Sequence, residues 1–242
     1  MDEWFKDWFD KDYAAIYGHR DGAEAERAVA MARSLAPDLD HGPVLDLACG
    51  AGRHLAVLRW SNRLAFGVDL SRDLLAMSPA HLRPWLLRAD MRRLPLRPGR
   101  LAGICLWFTP FGYFSDAENR ALLASLRDLL RPGGVLVLDY LNAGFVLEHL
   151  VAEDEIWRGG LRVHSTRRLE GDRLVRRMVL ADPAGGRTRE ALESVRLYRP
   201  EELRALAGQC GLEIQCEVGD YDGSAFDAER GPRWIGFLRR PQ

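Results

Sequence analysis

The chain has 242 residues, enough for one sizeable core, and its 47% hydrophobic and 29% charged residues exclude a disordered chain. Its 34 Lys and Arg nearly cancel 35 Asp and Glu, so no global field draws it to nucleic acid or to an anionic membrane. The N-terminus lacks a basic region followed by an apolar one, and no apolar run approaches the roughly 20 residues that span a bilayer, so a cytoplasmic protein is expected. Lys6 and Lys11 are the only lysines, and so uniform an arginine bias reads as a compositional habit. Cys49, Cys105, Cys210 and Cys216 form no CxxC pair; structural thiols are expected, and no metal site.

Trp4, Phe5, Trp8, Phe9, Tyr13, Ile16 and Tyr17 recur at spacings of three and four, which predicts a helix with an apolar stripe. A second helix is expected over 23–35, stopped near Pro37. From Pro43 strands and helices alternate. Strands are predicted over 44–47, 64–68, 85–89, 101–108 and 135–141, and helices over 53–60, 71–77 and 117–130, with Ser71 and Ser115 or Asp116 as caps. Short connections between alternating elements imply a parallel sheet with right-handed crossovers and helices on both faces.

Beyond about residue 155 the rhythm breaks. Runs 161–170, 174–182 and 188–198 are strand-like and joined by hairpin connections, so an antiparallel insertion is expected within 150–198. Pro200 opens a helix that Gly211 ends, and strands over 213–218 and 234–238 follow. The expected fold is α/β: a doubly wound, mostly parallel seven-stranded sheet with an antiparallel insertion and an N-terminal helical lid. One domain over 1–242 is the simplest count, with helices in 1–40, a ligand-binding core in 43–141, the insertion, and the rest of the core in 199–242.

The sharpest segment is Val44-Leu45-Asp46-Leu47-Ala48-Cys49-Gly50-Ala51-Gly52-Arg53. A buried strand ends in a small-residue turn that opens a helix, and backbone N–H groups at such a turn can approach a ligand closely. A dinucleotide site would need a third glycine where Leu55 stands. The second strand ends in Phe66-Gly67-Val68-Asp69-Leu70-Ser71, placing an acid about 20 residues beyond the glycines, the spacing of a ribose-binding carboxylate. Arg88-Ala89-Asp90-Met91 follows the third strand, and an aromatic run, Trp107 to Phe114, follows the fourth.

This ordered set resembles the class I S-adenosylmethionine-dependent methyltransferases, with Ala48 where that family usually has its first glycine. The resemblance covers 43–141, and 199–239 by pattern. It implies a cofactor site of Asp46, Ala48, Gly50 and Gly52 at the turn, Asp69 and Leu70 at the ribose, and Asp90 and Met91 at the adenine. Phe108 stands beside the methionine arm, and N-terminal Tyr17 and Arg20 close over it. Tyr13, His19, Phe111, Tyr113 and Asn142 are the candidates for the acceptor pocket. The implied reaction is transfer of a methyl group to a nitrogen, oxygen or carbon nucleophile of a small molecule by in-line displacement. No catalytic residue is named by the sequence; a hydroxyl acceptor would want a base, for which His19, His149 and His164 are candidates. Two alternatives stand beside it. One is an RNA-directed enzyme using Arg158, Arg162, Arg167, Arg168, Arg173, Arg176 and Arg177 of the insertion; the other is a non-catalytic methyltransferase-like partner subunit.

Overall fold

The computed structural model describes residues 3–18, 21–182, 185–186 and 188–242. Helices α1 (Phe5–Trp8), α2 (Lys11–Ile16) and α3 (Gly22–Leu35) precede the first strand. The stripe expected to form one helix is thus broken. Asp10 is extended, and its carboxylate accepts the backbone N–H groups of Asp12 and Tyr13, which starts α2 afresh.

The main sheet contains β1 (Val44–Leu47), β2 (Ala65–Asp69), β3 (Leu86–Arg88), β4 (Leu101–Leu106), β5 (Leu130–Leu141), β10 (Glu213–Val218) and β11 (Arg233–Arg239), in the spatial order β10-β11-β5-β4-β1-β2-β3. All run parallel except β11, which lies antiparallel between β5 and β10. From β1 the chain winds outward to β3, then returns to β4 and winds the other way. The direction therefore switches between β1 and β4, and a ligand is expected beyond their carboxyl ends.

Strand alternation sorts the core into two layers. Leu45, Leu47, Ile104, Leu106, Leu136 and Leu138 pack with α6 (Asp116–Leu129) and α8 (Pro200–Gln209). Val44, Cys105, Val135 and Val137 face the other way, against α3 and α4 (Arg53–Ser61). Ser71 caps the short α5 (Arg72–Ala76) by accepting the Leu74 N–H, and Ser115 opens α6 with a full capping box. Two boundaries differ from expectation. β4 stops at Leu106, because Phe108 and Thr109 take left-handed φ values of 64° and 57° that no strand can continue. β5 starts at Leu130, directly after α6, and carries Gly133 (φ 72°) as an irregularity near its start.

The insertion is a meander of β6 (Glu153–Arg158), β7 (Leu161–Glu170), β8 (Arg173–Ala181) and β9 (Thr188–Arg196), paired in that order and all antiparallel. It is preceded by α7 (Ala143–Glu148); neither α7 nor β6 was anticipated. Val163, Met178 and Leu180 point inward and join Trp4, Phe5, Trp8 and Ile16 of the N-terminal helices in one core. No described helix is long and apolar enough to cross a membrane.

Candidate active site

A cavity of about 270 Å³ opens at the switch between β1 and β4. The turn after β1 forms its floor: Ala48, Gly50 and Ala51 line it. Ala48 (φ 59°), Gly50 (55°) and Gly52 (83°) are all left-handed. For Ala48 this costs about 1–2 kcal/mol that glycine would avoid. Gly52 does not line the cavity; a Cβ there would lie 3.2 Å from Leu82 Cδ1, so it serves the turn and the start of α4. Asp46 lies beneath the turn, only 1% exposed, with no hydrogen-bond partner for either carboxyl oxygen. Burial, with Asp69 pushing the same way, raises its pKa to about 8.

Asp69 ends β2 at the cavity wall. Its Oδ2 accepts the Gly50 N–H and its Oδ1 the Ser71 N–H, both at 2.7 Å, so one carboxylate locks the turn after β1 to the start of α5. Burial pushes its pKa up, and these backbone bonds oppose the shift. Leu70, Asp90 and Met91 line the same wall. Burial also opposes ionisation of Asp90. Bonds from the Arg92 guanidinium (2.6 to 3.1 Å) and backbone N–H outweigh it and hold the carboxyl below the usual range.

A second cavity, of about 320 Å³, lies against the first, and Phe9, Tyr13, Tyr17, Phe108 and Tyr113 line both. Among the described residues its remaining wall is apolar except for Thr109, Glu193 of β9 and Arg233 of β11. Asp139, fully buried on β5, organises the rim. It accepts the Phe108 N–H (2.8 Å), the Tyr221 hydroxyl (2.6 Å) and Arg233 Nη1 (3.0 and 3.1 Å), while its own carbonyl accepts the Thr109 N–H (3.0 Å). These bonds hold the two left-handed residues in place. The Arg233 guanidinium also lies over the Phe108 and Tyr221 rings, at 4.4 and 4.7 Å from their centroids.

The N-terminal helices roof both cavities and are tied down by polar bonds. Glu3 accepts from Arg92 (2.7 Å), the Ser71 hydroxyl donates to the Phe9 carbonyl, and Arg189 of β9 binds Asp10 and Asp12. Trp8 Nε1 and the Tyr17 hydroxyl both donate to Glu193 Oε1, at 2.8 and 3.0 Å, and Arg176 Nη1 donates to the Tyr17 hydroxyl at 2.6 Å.

Of the candidates read from sequence, Ala48, Gly50, Asp69, Leu70, Asp90, Met91, Phe108, Tyr13, Tyr17 and Tyr113 line these cavities. His19 and Arg20 lie outside the described residues. Phe111 and Asn142 line neither cavity. Phe111 is fully buried between Tyr140 and Tyr198. Asn142 caps α7 and donates to the carbonyls of Asp227, Ala228 and Gly231, so it pins the loop before β11. His149 stacks on Phe145 and bonds its carbonyl, and His164 pairs with Glu153 on the far face of the insertion. Sequence reasoning missed His54, which lines the first cavity and stacks on Trp107, and it missed Glu193 and Arg233. No clear local signal marked Glu193: its strand face carries Arg189 as well as Ala191 and Val195, a mixed phase.

The insertion's arginines turn largely to internal partners. Arg167 pairs with Asp154 (3.1 Å), Arg168 with Glu170 (2.7 Å), and Arg173 with the Ser194 hydroxyl and the carbonyls of Gly112, Tyr113 and Phe114.

A family model described as a methyltransferase domain matches residues 44–134. The chain is 28% identical over 234 residues to a Streptomyces venezuelae dTDP-3-amino-3,4,6-trideoxy-alpha-D-glucopyranose N,N-dimethyltransferase, covering 89% of this chain and 96% of that one. It is 28% identical over 222 residues to a Streptomyces fradiae dTDP-3-amino-3,6-dideoxy-alpha-D-glucopyranose N,N-dimethyltransferase, covering 88% and 82% of the two chains. The fold matches the crystal structure of an S-adenosylmethionine-dependent methyltransferase from Clostridium acetobutylicum with a TM-score of 0.78 at 16% identity, over 95% of this chain and 96% of that one.

Proposed function

We propose that the chain is a class I S-adenosylmethionine-dependent methyltransferase and that its acceptor is the amino group of a nucleotide-linked amino-deoxy sugar. The observation that carries this reading is the second cavity. It shares a wall with the first, offers aromatic faces to a deoxygenated ring, and holds one carboxylate for a basic nitrogen. Both relatives act on sugars of that class.

The first cavity fits the cofactor. Gly50 exposes backbone at its floor, Asp69 has lone pairs left after its two N–H bonds, and neither oxygen of the buried Asp46 carboxyl beneath the turn has a bond partner. Asp69 would take the ribose hydroxyls, with Leu70 beside them. Asp90 would take the adenine amine, and Met91 would flank the ring. Tyr17 and Phe108 border the sulfonium end. Bound there, the sulfonium supplies an already activated methyl group. The acceptor nitrogen, as a neutral amine, gives its lone pair to the new C–N bond while the C–S pair returns to sulfur. The chain's own part is to hold the acceptor against the shared wall and exclude water, and such orientation is worth about 7–11 kcal/mol in well-aligned systems.

Incubation with S-adenosylmethionine and matched dTDP-linked amino and hydroxyl sugars, followed by mass spectrometry, tests the reading. Methyl addition to the amino members alone is expected. Methylation of the hydroxyl members, or of none, overturns it.

A further inference from the structure

We infer that Glu193 recognises the acceptor: its Oε2 accepts an N–H of the incoming amine, and this bond selects amines over hydroxyl acceptors. The inference rests on the amino-sugar reading above and adds the residue that enforces it.

Glu193 is the only acidic residue lining the second cavity among the described residues, and its side chain is 20% exposed. Trp4, Phe9, Tyr13, Leu141, Val146 and Val195 set the carboxylate in largely apolar surroundings, and the Trp8 and Tyr17 donors and the Arg176 guanidinium offset part of its desolvation. The group is also held in one orientation. Oε1 is filled by the Trp8 indole and the Tyr17 hydroxyl, whereas Oε2 meets only the Arg176 guanidinium, at 3.6 Å, beyond hydrogen-bond length. One oxygen is thus used for positioning and the other keeps its lone pairs. Arg233, the basic residue across the same cavity, has its charge engaged by Asp139, which leaves Arg176 as the cation beside Glu193. Tyr17 lines both cavities, which puts the Oε1 anchor beside the shared wall.

The chemistry follows from counting N–H bonds. An ammonium acceptor loses one proton to solvent and becomes a neutral amine with two N–H bonds. One N–H goes to Glu193 Oε2, and the lone pair is left to form the C–N bond as the C–S bond breaks. The product is a methylammonium, which gives up a proton to solvent and retains one N–H for a second round. The second transfer gives a dimethylammonium with a single N–H, and once that proton passes to solvent the tertiary amine has no N–H for a third round. A hydroxyl acceptor presents no cationic form, so its O–H bond to the carboxylate lacks the attraction of opposite charges.

The test measures binding to the protein loaded with S-adenosylhomocysteine, using dTDP-3-amino-3,6-dideoxyglucose and its 3-hydroxyl counterpart as probes. A charge-assisted bond predicts a preference of about 10- to 100-fold for the amine in the wild type. Glu193→Gln keeps an oxygen for Trp8 and Tyr17; it is expected to abolish the preference while leaving the affinities for the hydroxyl probe and for S-adenosylhomocysteine unchanged. Glu193→Asp restores part of it. A Glu193→Gln protein that retains the full preference overturns the role of Glu193 and leaves the amino-sugar reading standing. Loss of S-adenosylhomocysteine affinity along with the preference makes Glu193 a clamp for the roof and overturns the inference as well. A wild type that binds both probes equally overturns the amino-sugar reading itself.

Discussion

The cavity against the β1 turn and the one against the insertion are assembled in opposite ways. The first is framed by short segments that follow one another along the chain: Ala48 to Ala51, Asp69 to Ser71, and Ala89 to Met91, each at the end of a parallel strand. The bond that ties its floor to its wall spans few residues, Gly50 to Asp69 being 19 apart. The second is built across the whole chain, and the bonds that set its carboxylate join Glu193 to Trp8 and Tyr17, 185 and 176 residues away. A cofactor common to many enzymes can be served by a local, repeating device. An individual acceptor is met by surfaces that come together only once the fold is complete.

The largest effect expected on the first cavity concerns Asp46. Its folded pKa of about 8 lies above the unfolded value, so the folded protein retains a proton that the unfolded chain releases. The ligand-free protein accordingly loses stability as pH rises from about 4 to about 8, at up to ~1.4 kcal/mol per pH unit. Asp46→Asn removes this slope, and denaturant titrations across that range should show the variant gaining on the wild type until the gain levels off above it. A parallel pH dependence in the two proteins would mean that Asp46 is ionised in the fold. Next in size, Asp69→Ala removes the carboxylate proposed for the ribose and frees the Gly50 N–H, and calorimetry with S-adenosylhomocysteine should read a loss of about 1.5–3 kcal/mol. Unchanged affinity would remove Asp69 from the site.

The acceptor side breaks differently. Arg189→Ala severs the bonds from β9 to Asp10 and Asp12, which cap and start α2. Limited proteolysis should then cut within residues 3–18 faster than in the wild type, with cofactor affinity falling less than in Asp69→Ala. Equal cleavage would show the aromatic packing to be a sufficient anchor. Smallest of all, Ala48→Gly relieves the left-handed strain of about 1–2 kcal/mol but loosens the unfolded chain by about 0.5–1 kcal/mol. A net gain under ~1 kcal/mol in stability is the expected reading.

The same contrast governs what could be read before the fold was known. β1 falls on the expected residues because an apolar run meets a small-residue turn with no ambiguity, and Ser71 caps α5 because capping is a local event. Asp69 and Asp90 were legible from their place at strand ends. β6 was not: Glu-Asp-Glu-Ile-Trp-Arg carries too much charge to suggest a strand, and it survives as one only by pairing with β7 at a sheet edge. Phe111 and Tyr113 looked alike in sequence. The left-handed pair Phe108–Thr109, which turns the chain sharply after β4, precedes the parting of their ways, Phe111 into the core and Tyr113 to the cavities. No local pattern foretold that turn, because Asp139 on a neighbouring strand holds it.

The reversed direction of β11 has its own consequence. A parallel strand in that place would bring its far end to the ligand edge of the sheet; the antiparallel one brings its beginning, so Arg233 and Pro232, the last residue of the loop 219–232, stand at the second cavity. Ile235 and Phe237 meanwhile bury themselves in the core and fix the strand regardless of what precedes it. Between its fixed points, Tyr221 on Asp139 and the carbonyls of Asp227, Ala228 and Gly231 on Asn142, that loop has room to change without disturbing the turn after β1, more than 160 residues earlier.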